Sequence, residues 1–161
     1  MESSLIDQIV NHRLHIDQDL EKFSNHFVSS DTNKEAATTK FLMKFWYDGY
    51  LFCLYLGIKL NTRKKDSKKT EKSNRGWVSR KKQYLYLISL LLAKPEIQIE
   101  LELDSRENIR STDNKSLSES IKKISDEYAF GGLQFLKDEH EKDPGLFEDP
   151  FYIKKIKEMI S

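Results

Sequence analysis

The sequence contains little cysteine, glycine and proline, and it lacks the start of a secreted protein. Cys53 is the one cysteine among 161 residues, which excludes an internal disulfide framework and a cysteine-rich zinc site. The first residues, MESSLID, have neither the basic start nor the apolar core of a signal peptide. We therefore expect a cytoplasmic protein without disulfides, and a chain of this length fits one domain.

Catalytic signatures are also absent from the sequence. It contains no phosphate-binding loop, paired cysteines, nucleophile elbow or His-Glu-x-x-His motif. His12, His15 and Asp19 have spacings that metal sites use on one helix face, but solvated or capping roles are commoner for residues beside an apolar stripe. We therefore expect a protein that is not an enzyme and that holds neither a metal nor a cofactor.

The overall charge is almost balanced, but the charges are unevenly placed. Lys and Arg number 27 against 26 Asp and Glu, for a net charge of +1. Residues 61–82 carry ten basic side chains against Asp66 and Glu71, a net of +8, which leaves −7 for the rest of the chain. The sequence therefore predicts a strongly basic segment beside an acidic body.

The middle of the chain has the composition of a buried helix. Residues 41–60 are mostly apolar or aromatic and occupy every helix face, which indicates burial all round. A membrane span is disfavoured because Lys44 and Asp48 would be costly in lipid. We expect a central helix over about residues 34–60, in which Lys44 and Asp48 form a buried ion pair. A functional acid in a pocket is the alternative role for Asp48.

Further helices are predicted on both sides of the central one. Apolar spacings of three and four mark helices over residues 5–27 and 77–93, and another follows a capping box of Ser116 and Glu119. The glycines at 131–132 fall inside that last helix, where they are unfavourable. Close packing of a second helix against the bare backbone would compensate, and a kink in the helix is the alternative. A short closing helix is expected after residue 149.

Residues 97–103 have two interpretations. Their apolar residues alternate with polar ones, as in a half-buried strand, but no second alternating run exists to pair with them. The segment therefore either pairs outside the chain or is a helix with Pro95 in its first turn. As a whole the sequence predicts a mostly α protein, one helical bundle over residues 1–161, with a short β segment at 97–103 left open.

The basic segment carries the functional prediction. Residues 61–76 contain no apolar side chain, so we expect a mobile basic loop that cannot offset the entropy of ordering. If a helix begins at residue 77, two aromatic and two cationic side chains share one face beyond the loop. Cations neutralise phosphates and aromatic rings stack on bases, which favours DNA as the partner. The predicted contacts are Arg63, Lys64, Lys65, Lys68, Lys69, Lys72, Arg75, Trp77, Arg80, Lys81 and Tyr84.

Other roles for the basic segment remain open on the sequence alone. It could contact an acidic protein surface, serve as an inert linker, or fold back onto the chain's own acids while Trp77 and Tyr84 pack in the core. A different class of function is a protein–protein adaptor or homo-oligomeric scaffold without a nucleic-acid role. In that case an unpaired strand at 97–103 would join a partner's sheet.

Three segments of the chain resemble a small protein family associated with Dnd systems, the bacterial DNA phosphorothioation modification and restriction clusters. They are residues 48–57 (DGYLFCLYLG) with the basic residues that follow, residues 90–93 (LLLA), and residues 126–133 (DEYAFGGL). The resemblance implies a cytosolic, mostly helical accessory protein near a DNA-modifying or phage-defence assembly, with no catalytic residues to carry over. Residues 64–74 look like an insertion relative to that family.

Overall fold

Helices make up most of the structure, a computed structural model that describes residues 3–26, 28, 43, 46–72, 77–107, 112–149 and 151–161. The mostly α fold class is confirmed. A 3₁₀ helix spans Trp77–Arg80, and strands β1 (His15–Asp17) and β2 (Lys69–Glu71) pair antiparallel. The α-helices are α1 (Leu5–Val10), α2 (Glu21–Ser24), α3 (Trp46–Leu60), α4 (Lys81–Leu92), α5 (Pro95–Glu100), α6 (Asn114–Lys142) and α7 (Tyr152–Met159).

Helix α3 is the centre of the fold and is buried on several faces, as the sequence predicts. Tyr50 and Leu54 pack into one apolar cluster with residues of α4 and α6, while Cys53 and Leu56 pack into a second with the end of α6 and α7. Burial also raises the pKa of the Cys53 thiol. Residues 34–45 of the predicted helix lie outside the described residues, apart from Met43. Within the described residues, no helix is both long and apolar enough to cross a membrane.

Helices α3 and α6 meet backbone to backbone at glycines. A Cβ added to Gly132 would lie 2.8 Å from the carbonyl carbon of Cys53 and 2.9 Å from the amide nitrogen of Gly57, closer than real Cβ atoms come. One added to Gly57 would collide with the main-chain carbonyl of Tyr128. Only residues without a side chain allow this approach, so the predicted close packing at 131–132 is confirmed.

Residues 5–27 do not form the single helix that their apolar spacing predicts. Helix α1 ends at Val10, and the chain then extends into β1, where Ile16 lies opposite Thr70 of β2. Leu14 and Ile16 are fully buried although they point from non-helical backbone. The prediction was wrong because the apolar spacing continues through residues 15–17, whose backbone hydrogen bonds go to β2 instead of forming a helix.

Residues 97–103 are not a strand. Residues 95–100 form α5, with Pro95 in the first turn, and Ile97 and Leu101 are buried four residues apart. The alternating Ile99 is 64% exposed, which a half-buried strand would not allow. The helical alternative is therefore confirmed, and the short sheet of this protein is β1–β2.

The C-terminal helices follow the prediction except at one cap. The N-cap of α6 is Asp113, whose carboxylate accepts the backbone N–H of Ser116 at 2.9 Å, rather than the predicted Ser116. An Asp at this position satisfies an otherwise unpaired amide of the first turn. Helix α7 closes the second apolar cluster through buried Tyr152 and Ile156.

Candidate functional site

The basic segment, residues 61–82, is folded onto the body wherever the structure describes it. The amide of Lys64 donates to the carbonyl of Glu127, and that of Lys72 donates to the carbonyl of Leu14, each at 2.9 Å. Strand β2 supplies further backbone bonds to β1. The prediction of a mobile loop is therefore wrong for residues 61–72, and Arg75 lies outside the described residues.

Ion pairs explain why a segment without apolar side chains is ordered. Five of its cations reach carboxylates that come from distant parts of the chain, and such buried or partly buried pairs hold their geometry through hydrogen bonds as well as charge. The pairs are Arg63 with Glu100 and Glu127, Lys64 with Asp17, Lys69 with Asp126, Lys72 with Glu21, and Arg80 with Asp48.

Arg63 is the most completely engaged of these cations. Its guanidinium donates to both carboxylate oxygens of Glu100, at 2.5 and 2.9 Å, and its Nε donates to Glu127 at 3.0 Å. The same group lies 5.4 Å from the centre of the Tyr128 ring. Hydrogen bonding from Arg63 lowers the pKa of Glu100. Arg63 therefore ties α5 to α6 and is not available to a phosphate.

The two aromatic residues predicted to stack on bases are in the core. Trp77 is 3% exposed and Tyr84 is fully buried, with their rings 5.1 Å apart. The Trp77 indole donates to the carbonyl of Val10 at 3.2 Å. The two rings lie side by side as predicted, but they face the core beside Tyr47 and Tyr50, so they are not available to stack on bases.

Asp48 has a different partner from the predicted one. Its Oδ1 accepts from the Arg80 guanidinium at 2.8 Å, which joins the start of α3 to the 3₁₀ helix. The Asp48 side chain is 25% exposed, so the pair is only partly buried. The predicted pair with Lys44 lies outside the described residues because Lys44 is not among them.

The main polar centre of the fold is Asp126, a fully buried carboxylate on α6. It accepts from the Tyr50 hydroxyl at 2.9 Å, contacts His15 Nδ1 at 3.0 Å and Lys69 Nζ at 3.1 Å, and pairs with Lys122 one turn earlier. Burial alone would raise the pKa of Asp126, but the His15 hydrogen bond and the Lys122 charge outweigh it and lower the pKa. Asp126 is therefore a structural anion that fixes β2 against α6.

A chain of contacts between hydroxyl groups and the His12 ring leads from the partners of Asp126 to Ser118. We call this chain the hydroxyl relay. Ser125 Oγ lies 3.3 Å from the Tyr50 hydroxyl and 3.2 Å from the Tyr84 hydroxyl, and Tyr84 in turn lies 3.0 Å from His12 Nδ1. The other nitrogen of the ring, His12 Nε2, is 2.7 Å from Ser118 Oγ. The relay connects α3, α4 and α6 and ends at Ser118, a buried residue that lines a groove.

His12 and His15, the candidate metal ligands, belong to this hydrogen-bond network instead. His12 faces Tyr84 and Ser118 while His15 faces Asp126, so the two rings do not share a ligand set. No metal-holding group of three or more His, Cys, Asp or Glu occurs among the residues that the structure describes. Sequence reasoning missed the network because its members are far apart along the chain. Asp126 was visible only as the first residue of a resembling segment.

Four lysines of the basic segment take no part in these ion pairs. Lys65, Lys68 and Lys82 are exposed, and Lys81 is half-buried with its Nζ 3.0 Å from the neutral side chain of Asn11. None of them has a carboxylate partner within the described part of the chain. We call these four residues the outward lysines. Lys65, Lys68 and Lys81 belong to the predicted DNA-binding set, Lys82 is an addition to it, and Arg75 of that set lies outside the described residues.

Comparisons with known proteins place this chain in no group: no family model matches it, and neither a curated protein nor a solved structure does.

The pH dependence of stability should reflect His12. Burial and the nearby Lys122 charge lower its pKa from 6.5 to about 4, so the unfolded chain binds a proton between these pH values and the folded chain does not. Stability therefore falls as the pH drops from 6.5 to 4, by about 1–2 kcal/mol after allowance for the partial exposure of the ring. Urea unfolding at several pH values measures this loss.

His12→Gln should flatten that part of the stability curve, while His26→Gln, at an exposed histidine, should leave it unchanged. The same slope in wild type and His12→Gln would show that His12 is not held neutral. The loss of stability from Asp17, Asp126 and Glu100, whose pKa values are lowered, begins as the pH falls below about 5, so the contribution of His12 is read between pH 6.5 and about 5.

Proposed function

We propose that this protein is a non-enzymatic accessory protein that binds DNA non-specifically through the outward lysines. The observation that carries the proposal is the division of the basic segment into cations that pair with the body and cations that do not. Unpaired ammonium groups on a surface attract phosphates, and each contact releases a counterion. Arg63, Lys64, Lys69, Lys72 and Arg80 instead hold the segment in place.

The setting we propose is the bacterial cytoplasm, beside a Dnd-type DNA modification or restriction complex that acts in phage defence and supplies the protein partners. Its support is the resemblance at residues 48–57, 90–93 and 126–133. Within the fold these segments hold Gly57, Gly132 and Asp126, which form the α3–α6 contact and the polar centre. The resembling segments therefore contain residues that pack the fold, and they contain none of the outward lysines.

The salt dependence of DNA binding should report how many cations are engaged. Four phosphate contacts predict that the logarithm of affinity falls with the logarithm of salt concentration with a slope of about −3.5, whereas all ten basic residues of the segment would give about −9. Fluorescence anisotropy with duplex, single-stranded and phosphorothioated DNA measures the slope. Phosphorothioated and plain duplexes should bind equally, because both backbones carry the same charge.

Replacing the four outward lysines by glutamine should weaken binding by at least about a hundredfold at low salt without changing the melting temperature. A matched variant with glutamine at Lys22, Lys137, Lys154 and Lys157 removes the same charge elsewhere and should retain binding. No binding of wild type at low salt, or equal losses in the two variants, would contradict the proposal.

The adaptor alternative loses its original basis. It required a strand at 97–103 that could extend a partner's sheet, and residues 95–100 are helix α5. Light scattering of the purified protein would detect a homo-oligomer, but residues 97–103 offer no edge strand that would favour one.

A further inference from the structure

A groove of about 430 Å³, lined by polar and charged residues, lies between α1 and the first half of α6. Lys115, Ser118 and Lys122 line its α6 wall at spacings of three and four, so they form a single row of two ammonium groups with a hydroxyl between them. Two acids, Asp7 and Glu119, also line the groove. The charge of the groove therefore depends on which of these groups water screens.

The inner end of the groove carries the charge that water screens least. Lys115, Asp7 and Glu119 are exposed residues whose charges water and salt screen, whereas the Lys122 side chain is 12% exposed. Lys122 shares the carboxylate of Asp126 with Lys69. Two ammonium groups against one carboxylate leave an excess of positive charge at the inner end of the groove.

The hydroxyl relay can deliver a hydrogen-bond donor to the same place. Ser125 donates to the carbonyl of Lys122, and Tyr50 donates to Asp126, so the Tyr84 hydroxyl is free to donate either to Ser125 or to His12. When Tyr84 donates to His12 Nδ1, the other ring nitrogen carries the proton and donates to Ser118. The hydroxyl of Ser118 can then donate into the groove.

We propose that this groove binds a phosphate monoester group, through the Ser118 hydroxyl and the ammonium group of Lys115, in the positive field of the Lys69, Lys122 and Asp126 cluster. A doubly charged phosphate provides acceptors for both donors, and charge-assisted hydrogen bonds of this kind are the strong ones. Lys81, one of the outward lysines, lies at the rim through its bond to Asn11. The phosphate could belong to a free nucleotide or to the phosphorylated end of a nucleic-acid strand.

The site does not depend on the proposed DNA binding, because a small phosphate ligand tests it directly. Calorimetry and amide chemical shifts should show saturable binding of inorganic phosphate and of a nucleoside 5′-monophosphate, with a dissociation constant of about 1 mM or below. The same nucleoside without phosphate should not bind. A 5′-phosphorylated oligonucleotide that binds more tightly than its 5′-hydroxyl form would identify a strand end as the source.

Four single variants on α6 make the test specific. Ser118→Ala and Lys115→Gln should each weaken phosphate binding by about tenfold or more, while Ser120→Ala and Lys123→Gln, at exposed positions outside the groove lining, should not. Lys115 is exposed and outside the relay, so its variant keeps the test valid if Ser118→Ala lowers the melting temperature. Absence of saturable binding at about 10 mM phosphate, or equal effects of groove and control variants, would overturn the proposal.

Discussion

Gly132→Ala is expected to lower the melting temperature by about 10 °C or more, which corresponds to about 3 kcal/mol for a protein of this size. The added methyl group would meet the backbone of Cys53 and Gly57 inside 3.0 Å. Backbone cannot rotate away as a flexible side chain can, so α3 and α6 would have to separate along their contact. Thermal unfolding followed by circular dichroism measures the change.

Gly145→Ala is the matched control for this prediction. The nearest atom to a Cβ at Gly145 is a side-chain oxygen of Asp143 at 3.5 Å, an ordinary van der Waals distance. Its melting temperature should therefore stay close to that of wild type. If Gly132→Ala melted with the control, the close approach of α3 and α6 would be wrong.

Asp126→Asn is the second substitution with a large expected effect, a loss of about 3–5 kcal/mol in the free energy of unfolding. It removes the negative charge that faces Lys69 and Lys122 while both ammonium groups stay in place. Leaving a buried charge without its partner costs more free energy than the intact pair contributes to stability. Urea unfolding at pH 7 measures the loss.

A substitution that removes a cation instead of the anion gives a sharper test of the same cluster. Lys122→Met leaves Asp126 with Tyr50, His15 and Lys69 as partners, so it should cost less than Asp126→Asn. Asp138→Asn, at an exposed position on the same helix, should have almost no effect. A loss from Lys122→Met equal to that from Asp126→Asn would mean that Asp126 depends on a single partner.

Local patterns in the sequence predicted the parts of the fold that depend on neighbouring residues. The burial of α3 on several faces, the core position of Cys53 and the glycine contact follow from composition and spacing over a few turns. The long helix α6 and the closing helix α7 follow in the same way. Each of these signals lies within one element, which is why it could be read directly.

The basic segment could not be predicted in this way. Composition indicated that residues 61–76 have no apolar surface to bury, and that is correct, but the segment is ordered by acids that lie far from it in the sequence. Asp17 is about fifty residues away from Lys64, and Asp126 is further still from Lys69. Pairs at such separations leave no periodic signal in the sequence, so these ion pairs could be identified only from the structure.

Amide hydrogen exchange across the basic segment tests the central claim most directly. The amides of Lys64 and Lys72 donate to Glu127 and Leu14, and that of Gln18 donates to Lys68, each at 2.9 Å. If the segment is folded onto the body, these amides should exchange at least about a hundredfold more slowly than in an unfolded peptide. Exchange at the unfolded rate would contradict the account, because it would mean that the segment is a free arm whose ten cations are all open to phosphate.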